Sequence, residues 1–117
     1  MLIPLLSKEY EVITYEIPHH GKSKDSELTF GISALVSSFI DFMYSIGPSY
    51  VYGFSLGGYL AISAAQIDQT NFKGIVTQGT KFNWSKEAAE KETETLNVEF
   101  LSSTCSETDD FYKLNKF

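Results

Sequence analysis

With one cysteine, two histidines and three prolines among 117 residues, the chain lacks the raw material of several protein classes. Cys105 can close no internal disulfide, and the polar stretch around it, Ser102 to Asp110, holds no histidine to complete a metal or thiolate site. It reads as an ordinary thiol in a reducing compartment. Long hydrophobic runs are missing too: nothing approaches the roughly 18 to 20 apolar residues that span a bilayer. The apolar opening Met1-Leu2-Ile3-Pro4-Leu5-Leu6 has no basic lead and gives way at once to Ser7-Lys8-Glu9, so it does not read as a secretory leader. The expected location is the cytoplasm. Basic residues are also scarce, 9 against 15 acidic, for a net charge of -6 and an isoelectric point near 4.8. A phosphate backbone or an anionic membrane surface would be repelled, so neither nucleic acid nor membrane is expected as a partner.

What the chain does have is 43% hydrophobic and 15% aromatic content, enough for one packed domain. Tyr10 to Ile17 is β-branched and aromatic and closes at Pro18, which predicts a first strand over residues 10–17. After a polar loop, Ile32, Leu35, Val36, Phe39, Ile40, Met43 and Ile46 recur at gaps of three and four, the mark of one apolar helical face. Gly47-Pro48 stops it. Residues 49–54 are short, apolar and β-prone, and Gly57 to Ile67 is rich in alanine and leucine, so strand, sharp turn and helix follow in order. Residues 72–78 make a third strand ending at Gly79. Alternation of this kind implies an α/β fold with three parallel strands, the helices after the first two packing on opposite faces. From Ser85, a candidate N-cap, the chain becomes acidic and mostly solvated.

Gly53-Phe54-Ser55-Leu56-Gly57 satisfies G-x-S-x-G and lies between the second strand and its helix, where a nucleophile elbow must stand. The turn is tight enough to strain the serine backbone and to demand small neighbours, and Gly53, Gly57 and Gly58 meet that demand. It would set the Ser55 hydroxyl at a helix N-terminus, where free N–H groups favour a developing oxyanion. The Leu56 N–H would be one donor. Two phosphate-cradling readings of the same glycines fail: G-x-G-x-x-G needs glycine where Ser55 stands, and a P-loop needs lysine where Tyr59 follows Gly58.

Together with a second segment, the elbow resembles a known family. Glu16-Ile17-Pro18-His19-His20-Gly21-Lys22-Ser23 looks like the D-x-P-G-H-G-x-S loop of α/β-hydrolase-fold esterases and lipases, with Glu16 in place of the aspartate and His19 in place of the first glycine. Gly53 to Gly58 is similar to their G-x-S-x-G-G elbow. The resemblance covers residues 1 to about 80 and implies a partial α/β-hydrolase core over residues 1–82, with His20 and Gly21 on a loop near the site. Residues 83–117 would begin a helical cap or form a tail. It also implies an ester or related acyl substrate and no cofactor.

In that family the triad runs serine, acid, histidine along the chain, yet no histidine follows Ser55. His19 and His20 precede the nucleophile, and the bland reading of the pair is that His20 hydrogen-bonds within its loop while His19 is exposed. Adjacent histidines point apart and find no third ligand, so no metal is expected. Asp109 and Asp110 read as solvated tail carboxylates. The expectation is therefore the N-terminal half of a serine hydrolase, inactive alone because the oxyanion loop, triad acid and histidine are absent, and partnered by its missing half or by itself. The alternative is a non-catalytic binding or interaction module of the same fold.

Overall fold

The computed structural model describes residues 2–83 and 85–95. The chain divides into two units, Met1–Lys81 and Phe82–Phe117. The first unit opens with a single helical turn, α1 (Ile3–Leu6), started by Pro4 and buried nowhere. It continues through α2 (Ile32–Ile46), β1 (Ser49–Phe54), α3 (Leu56–Ile67) and β2 (Phe72–Gln78).

The spacing of α2 does what its sequence requires. Leu35, Val36, Phe39 and Met43 are buried on one face, each worth about 1.5–3 kcal/mol when removed from water. The helix ends where Gly47 turns to φ 77° and its N–H closes on the Met43 carbonyl at 2.9 Å, a backbone state that glycine adopts without a Cβ penalty. From α3, Leu60, Ala61 and Ala64 join the same core, and the two alanines let the helices approach closely. β1 and β2 run parallel, with Val51 opposite Ile75 and Gly53 opposite Thr77. Near their start the register slips, Ser49 facing Phe72 but Tyr50 facing Gly74. The extra residue, Lys73, acts as a bulge and turns Phe72 to the Ser49 and Val51 side. There its ring meets that of Phe39, 6.2 Å between centroids.

Two sequence expectations are corrected. The described residues contain two strands, not three, because residues 11–17 enter no ladder. Tyr15 of that segment packs on α2 instead, while Ile13 stays exposed: the Tyr15 ring lies 5.1 Å from Phe39 and 4.7 Å from Phe42, and its hydroxyl is 2.9 Å from the Ser38 hydroxyl. β-branched composition favours an extended chain, but a strand also needs a paired neighbour. Nor do the two helices take opposite faces. α3 lies on both strands, α2 lies on α3, and one core cluster joins them. The other sheet face, carrying Tyr50, Tyr52, Phe54 and Val76, is exposed.

In the second unit, α4 (Lys86–Thr95) starts as its sequence suggests. The Ser85 hydroxyl accepts the Ala88 N–H at 3.2 Å, and Lys86 pairs with Glu90 at 3.8 Å. The Glu87 carboxyl is held below its usual range by its own N–H and then by the Ser85 hydroxyl. Cys105, Asp109 and Asp110 lie outside the described residues.

Candidate active site

β1 ends at Phe54, α3 begins at Leu56, and Ser55 alone makes the turn, at φ 50° and ψ -116°. Such a backbone costs a non-glycine residue on the order of 1–3 kcal/mol and persists only where the surroundings dictate it. Here they do. The Ser55 N–H donates to the Gln78 carbonyl at 2.9 Å, while the Ser55 carbonyl accepts from Gly58 N–H at 3.1 Å, Tyr59 N–H at 3.2 Å and the Thr80 hydroxyl at 3.1 Å. Ser55 occupies the N-cap position of α3 but makes no capping bond with its side chain. A serine present merely to cap would spend its hydroxyl on the N–H two or three residues on. This residue is exposed, and its hydroxyl is left for whatever enters from solvent.

The glycines around it divide. A Cβ at Gly53 would stand 2.5 Å from the Gly58 Cα, and one at Gly58 would overlap the Thr80 hydroxyl and reach 3.0 Å from the Gly53 carbonyl oxygen. At Gly57 a Cβ would meet nothing within 4 Å, so the expectation that this glycine too is sterically required is corrected. Leu56 packs its side chain against the core cluster. Its N–H, at the first position of α3, has no intrahelical acceptor.

The loop before α2 holds its histidines in different ways. His19 adopts φ 67°, the left-handed backbone region that favours glycine, at the position where the resembled motif has one. It is half-buried rather than exposed as the sequence suggested, because its Nε2 donates to the Leu28 carbonyl at 2.7 Å and its ring meets Phe30 edge-on at 5.5 Å. His20 is exposed, and its Nδ1 donates to the Pro18 carbonyl at 3.0 Å. Carbonyl partners fix which nitrogen carries the proton in each ring. Gly21, at φ 51°, lies against the Glu16 carboxylate. No hydrogen bond among the described residues joins either histidine to Ser55.

The alpha/beta hydrolase fold profile matches residues 2–98. The chain belongs to the α/β-hydrolase fold family. Within that family, 75 residues are 33% identical to a Haemophilus influenzae protein provisionally named as a 2-succinyl-6-hydroxy-2,4-cyclohexadiene-1-carboxylate synthase. The match covers 60% of this chain and 30% of that protein, so the chain spans about a third of its relative's length. No solved structure matches significantly.

Two residues at this α/β-hydrolase turn carried no local signal. Gln78 and Thr80 reach Ser55 only because parallel pairing sets Phe54 beside Gln78. A reader of the sequence would need the register to find them. Among the described residues no cluster of three His, Cys, Asp or Glu could hold a metal, and no helix is long and apolar enough to cross a membrane.

Proposed function

We propose that this site performs acyl transfer to water with Ser55 as the nucleophile. One observation carries the reading: an exposed serine held at φ 50° whose hydroxyl its own helix cap does not use. Ser55 Oγ attacks an ester or related acyl carbon while a base takes its proton, and the Leu56 N–H donates to the tetrahedral oxyanion. Collapse expels the alcohol, and water releases the acyl group from the serine. Both histidines precede Ser55, and neither is hydrogen-bonded to it. We assign the base, the triad acid and the other oxyanion donor to polypeptide beyond these 117 residues, an assignment supported by the 30% coverage of the relative. In this reading the chain is a serine-hydrolase fragment, inactive alone.

A second reading has one observation in its favour, the 33% identity with the synthase. The same elbow would then act on a succinyl cyclohexadiene carboxylate skeleton instead of a simple ester.

A fluorophosphonate probe and an activated ester test the proposal. The chain alone should leave the probe unreacted and turn over the ester negligibly, since loss of triad members costs on the order of 10⁴ to 10⁶ in turnover. Supplying the downstream half, in trans or as a longer reading frame, should restore both in a manner abolished by Ser55→Ala. Rapid Ser55-dependent turnover by the 117-residue chain would overturn the base assignment, with His20→Ala the first variant to make. A complete protein that binds acyl ligands yet never labels would be a non-catalytic module.

A further inference from the structure

The Ser55 carbonyl and the Leu56 N–H are two ends of one peptide plane. A trans peptide is rigid and sets its C=O and N–H in opposite directions, so whatever aims one aims the other. Three donors hold the carbonyl. Two, the N–H groups of Gly58 and Tyr59, belong to the first turn of α3 and come with the helix itself. The third is the Thr80 hydroxyl, 25 residues downstream and just past the end of β2, at 3.1 Å. Two residues earlier, the Gln78 carbonyl takes the Ser55 N–H at 2.9 Å. The end of β2 thus grips Ser55 by both its backbone groups. Room for the Thr80 hydroxyl exists because residue 58 has no side chain: a Cβ there would overlap it.

We propose that Thr80 is a positioning residue of the Ser55 site, whose hydroxyl holds the Ser55 carbonyl and so aims the Leu56 N–H into the space before the serine. The inference rests, for its purpose, on reading Ser55 as a nucleophile. Its geometry does not. Without the hydroxyl, the peptide keeps only the helical donors and is free to rock about the Ser55 ψ and the Leu56 φ, which would degrade an oxyanion donor without unfolding anything.

The test compares Thr80→Ala with Thr80→Ser in the full chain by NMR, because the two lose the same methyl and differ only in the hydroxyl. Thr80→Ser should keep the Leu56 N–H residual dipolar coupling and the Ser55 carbonyl carbon shift of the unmodified chain. In Thr80→Ala the carbonyl carbon should move upfield and the Leu56 coupling should change while the rest of α3 keeps its values. Equal movement in both variants, or none in a folded Thr80→Ala, overturns the proposal. A purely structural role would lower global stability and leave the Leu56 coupling alone. If Thr80→Ala does not fold, the unmodified chain decides: a Thr80 hydroxyl proton in slow exchange with water supports the bond, and one in fast exchange overturns it. A serine that never reacts with fluorophosphonate, even in the complete protein, would remove the hydrolase reading while leaving this measurement intact.

Discussion

A methyl group added at Gly58 and one added at Gly57 should have opposite consequences, although the residues are neighbours. At Gly58 it meets the Thr80 hydroxyl, the Gly53 carbonyl and the Thr77 side chain, so Gly58→Ala should cost about 1–3 kcal/mol through overpacking. At Gly57 it meets nothing, and Gly57→Ala should gain about 0.5–1 kcal/mol from helix propensity. Urea midpoints distinguish them. His19 offers a second contrast, since alanine and glycine both lose its bond to Leu28 and its contact with Phe30. Only glycine relieves the φ of 67°. His19→Gly should therefore be more stable than His19→Ala by about 1 kcal/mol, again read in urea. At this scale Ser55, Gly53 and Gly58 were legible because a tight turn demands small residues at fixed offsets. His19 as a stand-in for glycine was visible as a departure, but the hydrogen bond and ring contact that stabilise it were not.

Between elements, the clearest polar tie links the end of α2 to the end of α3, where the Tyr44 hydroxyl donates to Asp68. The Thr70 side chain, the Tyr44 hydroxyl and the Thr70 N–H, in that order, bring the Asp68 carboxyl from 3.8 to about 2. A folded-state value below the unfolded one means that the ionised carboxylate contributes stability in full above 3.8 and loses it as pH falls toward 2. The stability gap between the unmodified chain and Asp68→Asn should close over that interval, as urea midpoints measured on acidification would record. The Tyr44 hydroxyl is raised above 10.0 by its hydrogen bond to Asp68 and by that charge, so its share is present below 10.0 and lost as pH rises past the folded value. Helices were the most legible elements, their periodicity being local. The strand expected over residues 10–17 failed because pairing is non-local, and the shared face of α2 and α3 was hidden for the same reason.

At the scale of the whole molecule, among the described residues one sheet face is covered by α3 and the other is exposed. Tyr50 is 76% exposed, Phe54 65% and Val76 63%, on a parallel sheet of two strands, an arrangement that normally has both faces covered. The chain should self-associate, seen as a sedimentation coefficient that rises with concentration, and Tyr50→Lys with Val76→Glu should weaken that association. Because the net charge is -6, added salt should strengthen it by screening the repulsion between copies. A monomer unaffected by concentration or salt would count against the open face as a binding surface. The family was legible from two motifs, whereas which face lay open depended on where the helices packed.

The grip of β2 on Ser55 also has a temporal side. Residues 53 to 58 look like a local turn, yet two of the groups that hold it arrive only with Gln78 and Thr80. While the chain is being synthesised, a segment ending before β2 can form α3 and with it the Gly58 and Tyr59 donors, but it lacks the Gln78 carbonyl and the Thr80 hydroxyl that complete the hold on Ser55. The full set of contacts on the strained conformation is therefore complete only after the non-local closure of β1 on β2, the slow kind of step in parallel sheets. A chain caught half-folded would hold the Ser55 backbone by its helix alone.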